Sequence, residues 1–117
     1  MSRCRLSEVA DEDIEAILRN TTRSYGPRQR ERYAGIIQIG IEMVASEPKR
    51  PGSRMRLEIH PEIRSFHLEL AAGRAGAAVH HLYYSMQRFA DGEEGIVILR
   101  VLHERTDARR HAFDVDK

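Results

Sequence analysis

A single cysteine, Cys4, stands in the 117 residues, so no internal disulfide can form and no cysteine-paired zinc knuckle can be built. That scarcity suits a reducing compartment, and a cytosolic location is expected. No apolar run approaches the roughly 18–20 residues of a membrane span, and the opening Met1-Ser2-Arg3-Cys4-Arg5 has none of the apolar core of a signal peptide. Proline and glycine are sparse, 4 and 8 residues, beside 41% hydrophobic and 32% charged residues, which excludes collagen-like, low-complexity and disordered chains. One domain over residues 1–117 is expected, since about 100–150 residues is the common domain size. Charge of one sign is missing too: 19 basic against 18 acidic residues leave a formal +1, too little for the whole molecule to capture nucleic acid by its net field. Lysine is nearly absent, with only Lys49 and Lys117 among the basic residues, an arginine bias that fits a GC-rich genome or a need for planar, bidentate phosphate or carboxylate contacts, the first being the favoured reading.

What is present is unevenly placed. Glu8, Asp11, Glu12, Asp13 and Glu15 crowd the start of the chain, whereas Arg100, Arg105, Arg109 and Arg110 gather near its end. From Ser7 to Tyr25 the residues Ala10, Ile14, Ile17, Leu18, Thr21 and Tyr25 recur every three or four positions, an amphipathic helix with Ser7 as N-cap and acids suited to the helix dipole. Gly26 then Pro27 stop one helix and start another, which carries Tyr33, Ile36, Ile37, Gly40, Ile41 and Val44 on its stripe and ends at Glu47-Pro48. So short a link predicts an antiparallel hairpin, with Gly35 and Gly40 allowing close approach. Arg28, Arg30 and Arg32 are expected to solvate the outer face of the second helix.

Past Pro61 the period falls to two. Phe66, Leu68 and Leu70 alternate with polar residues, as do Leu82, Tyr84 and Met86, and each reads as a half-buried strand. The small-residue tract Ala71 to Ala78 reads as a mobile connection, Asp91-Gly92 as a turn, and Ile96 to Leu102 as a central strand apolar on both faces. A short edge strand at Arg3 to Leu6 completes a β-α-α-β-β-β order, an α+β domain with a helical hairpin on one face of a mostly antiparallel sheet.

Chemical motifs are thin. None of the six histidines has the His-x-x-x-His spacing of a helical metal pair, and adjacent His80 and His81 on a strand point to opposite sides, so no metal site is expected. No phosphate-binding glycine loop and no Gly-x-Ser-x-Gly elbow occurs, which argues against nucleotide cofactors and serine hydrolysis. The distinctive tract is Arg100-Val101-Leu102-His103-Glu104-Arg105-Thr106-Asp107-Ala108-Arg109-Arg110-His111, where an apolar strand ends in a cluster of polar groups at the sheet rim. Two readings stand side by side: a functional rim, or Asp107 capping a terminal helical turn while Arg105 pairs with an acid.

Leu6-Ser7 with Ala10 and Asp13-Ile14, Tyr25-Gly26, Tyr33, Arg64-Ser65-Phe66, His81-Leu82-Tyr83-Tyr84, and above all Arg100-Val101-Leu102-His103 with Arg105 and Asp107, resemble the ParE branch of the ParE/RelE toxins of bacterial type II toxin-antitoxin systems. The resemblance runs from about Leu6 to Phe113. It departs at Ala75 to Val79, where the family pattern has a glycine and a basic residue just before the tyrosine strand. It implies the same element order and a cofactor-free cytosolic toxin held by a ParD-like ribbon-helix-helix antitoxin whose C-terminal segment wraps around it. ParE-like members poison DNA gyrase and RelE-like members cut mRNA on the ribosome; a non-toxic paralogue that only binds antitoxin is the third class. Gyrase poisoning is the expectation, because metal-free RNA cleavage needs a base, cations and an acid, and this chain matches the set only at Arg105, with His111 and either His80 or His81 left to form an acid-base pair. His103, Arg105, Asp107, Arg109 and Arg110 are the expected target contacts. Ile14, Leu18, Tyr33, Ile37, Arg64 and Arg100 are the expected antitoxin contacts, with Val9, Ile39 and Met43 as apolar positions left for a partner segment of acidic, amphipathic character.

Overall fold

A computed structural model describes residues 3–113 and 115. In chain order it contains β1 (Arg3–Leu6), α1 (Glu8–Tyr25), α2 (Pro27–Ser46), β2 (Arg54–Met55), β3 (Arg64–His67), α3 (Glu69–Ala72), β4 (His80–Arg88) and β5 (Glu94–His103), followed by a 3-10 turn at Ala108–Arg110. The sheet order is β1-β5-β4-β3-β2, with β1 parallel to β5 and every other pair antiparallel. This is the expected α+β arrangement, a helical hairpin on a mostly antiparallel sheet.

Local chemistry sets the helix ends. The Ser7 hydroxyl accepts from the Ala10 N–H at 3.0 Å, capping α1, whose first turn carries Glu8 and Asp11. Gly26, at φ 92°, closes α1 by donating to the Thr22 carbonyl, and Pro27 opens α2 at once. Helix α2 buries Tyr33, Ile37, Gly40 and Val44 against the sheet. Gly40 is required there: a Cβ would lie 2.4 Å from Leu68 Cδ2. Gly35 plays no such part, since a Cβ at that position meets nothing.

Both sheet faces carry a core, as the double-sided strand predicts. Phe66, Leu82, Tyr84, Ile96, Ile98 and Val101 pack beneath the helices, while Ile63, Tyr83, Val97, Leu99 and Leu102 pack on the other face under Ala108, Phe113 and Val115. A register shift sets Tyr83 opposite Arg100 and Tyr84 opposite Ile98, so Leu99 is an extra residue and β5 bends at that point.

Two expectations fail between Phe66 and Ala78. The alternation through Leu70 is not one strand: β3 ends at His67, the Leu68 N–H donates to the His80 carbonyl, and the next amides at Ala71 and Ala72 turn back onto Leu68. Leu68 is fully buried, whereas Leu70 is exposed on α3. The tract read as a mobile link is fastened by Gly73 at φ 74° and by the Glu69 carboxylate, which accepts from the Gly76 N–H. The two-residue β2, paired with Arg64 and Ser65, was not anticipated because so short a segment has no period to read.

Candidate functional site

The parallel pairing of β1 ends at Leu6 opposite Ile98, which leaves the far half of the β5 edge without a strand. Side chains take its place. Ser7 donates its hydroxyl to the Leu99 carbonyl, and the Asp13 carboxylate accepts the Val101 N–H at 3.0 Å. The same carboxylate holds Arg100 through two bonds of 2.9 and 3.0 Å, with both side chains only 15% exposed. Arg100, expected at the antitoxin interface, is therefore committed within the chain.

Beyond this clamp the chain turns sharply. His103 Nδ1 accepts from the Arg105 N–H, and the Thr106 N–H returns to the His103 carbonyl. Asp107 caps the 3-10 turn through the Arg109 N–H and also binds the Arg109 guanidinium, with Arg110 at 3.8 Å. Those hydrogen bonds from Arg109 pull the Asp107 carboxyl below its ordinary range and push the Arg109 guanidinium up. The capping role weighed for Asp107 is thus present, but the acid partner for Arg105 is not: among the described residues Arg105 makes no ion pair. His103, Arg105, Asp107, Arg109 and Arg110 lie together on an exposed rim.

Strand register also assembles a histidine cluster that spacing along the chain could not reveal. His67 stands opposite His81, and His80 opposite His103. On the helix side, the Tyr33 hydroxyl accepts the Val79 N–H and shares a hydrogen bond with His80 Nδ1, at 2.6 Å. On the other side, His67 Nδ1 accepts the Glu69 N–H, which leaves Nε2 to donate to Glu104 at 2.7 Å. That bond lowers the Glu104 carboxyl. Burial, with His103 beside His80 and His67 beside His81, pushes both imidazoles down to about 4. As expected, the two neighbours face opposite ways.

The three residues named for a conditional nuclease are not assembled. His81 lines a cleft with Arg54, Arg56, Ser65 and His67, whereas His111 lines another with Glu58, His60 and Arg109, and Arg105 lines neither. Among the described residues no three His, Cys, Asp or Glu side chains are placed to hold a metal ion, and no helix is long and apolar enough to cross a membrane.

The antitoxin candidates separate by depth. Tyr33 and Ile37 lie in the core, facing the sheet. Arg64 is turned onto Ser53, donating to its hydroxyl at 2.8 Å. Ile14 and Leu18 are half-buried and floor a groove whose walls are Glu15, Arg19, Thr22, Arg23 and Arg30. Val9 and Ile39 are exposed, and Met43 packs partly on the core. The larger apolar groove, about 610 Å³, lies on the β1 side, between Leu6, Val9, Leu99 and Phe113.

Comparison with known proteins agrees with this geometry. The family described as ParE toxin of type II toxin-antitoxin system, parDE, matches residues 4–108. Toxin ParE1 of Mycobacterium tuberculosis, from strain CDC 1551 / Oshkosh and from strain ATCC 25618 / H37Rv, is 34% identical over 110 residues in each case, covering 94% of this chain and 97% of the relative.

Proposed function

Because this chain belongs to the ParE toxins of type II toxin-antitoxin systems, we propose that it acts in the cytoplasm by binding DNA gyrase and stabilising the enzyme's cleaved-DNA complex, and that a ParD-like ribbon-helix-helix antitoxin silences it. One observation supports the choice over RNA cleavage: His81 and His111, the acid-base pair named for a nuclease, line different clefts, and Arg105 lines neither. The rim at 103–110, exposed and rigidly turned, is the target contact, with Arg105 free to reach a carboxylate or phosphate. Leu6 and Val9, exposed beside the open edge of β1, offer an antitoxin segment both apolar anchorage and unpaired backbone groups.

The test adds purified chain to gyrase with supercoiled plasmid and, separately, to translating ribosomes with a labelled message. Linear DNA that accumulates and is reduced by Arg105→Ala, with intact message, supports the proposal. Codon-positioned cuts that disappear on His111→Ala, with gyrase unaffected, would overturn it in favour of a nuclease. Absence of both effects and of growth arrest identifies a non-toxic antitoxin-binding paralogue.

A further inference from the structure

The near-neutral total charge conceals a strongly basic end. Residues 19–32 hold Arg19, Arg23, Arg28, Arg30 and Arg32 against one acid, Glu31, a formal +4 in a chain of +1, so the remaining residues sum to −3. All five arginines are exposed, and none makes an ion pair among the described residues. They occupy the tip of the helical hairpin. Arg19, Arg23 and Arg30 wall one groove between α1 and α2, Arg28 follows the turn, and Tyr25 at the turn is 76% exposed, the most exposed of the large apolar side chains. Arg28 and Arg30 sit in the opening of α2, whose first turn holds no acid and where the helix dipole disfavours cations.

We propose that the hairpin tip is a contact for the phosphodiester backbone of nucleic acid. Guanidinium groups match phosphate oxygens bidentately, and an exposed tyrosine among arginines supplies a face for an unstacked base or a sugar. An acidic polypeptide fits less well. A helix or strand laid along α1 from this groove would run over Glu15, at the groove's own end and about 12 Å from Arg23, and then over Glu12, Asp11 and Glu8, the last about 22 Å away at 1.5 Å per residue. The floor, Ile14 and Leu18, is already half used by the core and leaves a peptide little to anchor on. A polyanion crossing the turn at Arg23, Arg28 and Arg30 meets the arginines and leaves Glu15 and the acids beyond it to one side, with Glu31 the one acid near its path. The same charge separation along α1 orients its approach.

The inference is tested without gyrase, so its failure leaves the proposed target untouched. Fluorescence anisotropy with the full chain and labelled oligonucleotides, single-stranded and duplex, is expected to show binding that weakens about 50- to 100-fold between about 50 and 200 mM salt, the dependence of roughly three to four phosphate contacts. Arg23→Gln with Arg30→Gln is expected to cost about tenfold and flatten the salt slope by nearly two, at an unchanged melting temperature. Arg3→Gln with Arg88→Gln removes equal charge from arginines that already pair with Asp91 and Glu94, and is expected to cost under about threefold. Tyr25→Ala is expected to weaken single-stranded binding about tenfold and duplex binding less. Absence of salt-dependent binding, equal losses from the two double variants, or tighter binding of poly-glutamate than of DNA at equal salt would overturn the proposal, the last in favour of an acidic protein surface.

Discussion

Two arginine clusters stand out in this chain, and they meet opposite fates. At the C-terminal rim the cations are answered from within: Arg100 by Asp13, Arg109 and Arg110 by Asp107, with Glu104 held by His67. At the hairpin tip Arg19, Arg23, Arg28 and Arg30 have no acid partner among the described residues. The rim is the more conspicuous in sequence because it interrupts an apolar strand, yet its charges largely build structure. The tip reads as ordinary helix solvation, yet there the arginines stay unpaired together, whereas the rim leaves Arg105 alone without an acid among the described residues. Arginine density along a chain is therefore a poor guide to available charge; the acids that folding brings alongside decide it.

The difference is sharpest at Arg100. Asp13→Ala strands a nearly buried guanidinium and the Val101 amide together, and is expected to cost about 3 kcal/mol in denaturant unfolding. A loss under about 1 kcal/mol would mean Arg100 is freer than its geometry, and would weaken the division between the two clusters.

Acid provides the next lever, because all six histidines fall between residues 60 and 111 and none lies in the hairpin. His80 and His81 resist protonation to about 4 in the folded chain against 6.5 when free. The unfolded chain therefore binds protons first, and the histidine contribution to stability is expected to be lost as pH drops from 6.5 to 4, below which the lowered Glu104 and Asp107 carboxyls continue the decline. His80→Gln should flatten that slope. Amide exchange should quicken around Val79–Leu82 across the same range while the amides of α1 and α2 near the tip change little; equal quickening at both would erase the contrast.

Smaller effects separate stability from binding. Arg28→Glu places an acid in the first turn of α2 and is expected to stabilise by about 0.5 kcal/mol while weakening nucleic-acid binding, a stability gain bought with function. Arg109→Ala at the rim breaks an exposed pair and is expected to leave the melting temperature nearly unchanged. Thermal melts with matched anisotropy titrations check both.

The helical hairpin, the edge strand and the double-sided central strand are legible in sequence, because each carries a period or a Gly-Pro punctuation that only one local structure satisfies. Leu68 and Leu70 misled because alternation continues by chance through a point where the last ladder bond, to His80, ends the strand. Tyr33 and Ile37 are correctly on an apolar stripe, but a stripe does not say whether the sheet or a partner covers it; here the sheet does. The Asp13–Arg100 clamp joins residues 87 apart, and the histidine cluster depends on strand register. Neither leaves a mark in local spacing.

The start of α1 also acts as a stopper on the sheet. Where β1 leaves off, the apolar end of β5 would expose a carbonyl and an amide at Leu99 and Val101 to any passing strand, and Ser7 and Asp13 close both. Of the sheet's two outer strands, β2 is only two residues long, and β1 is short and carries Arg3 and Arg5, charges that discourage unwanted strand addition. A toxin that must persist between partners is in this way defended against its own aggregation by two polar side chains six residues apart, so Ser7→Ala with Asp13→Asn should show as fibril seeding from β5 well before it shows as a change of fold.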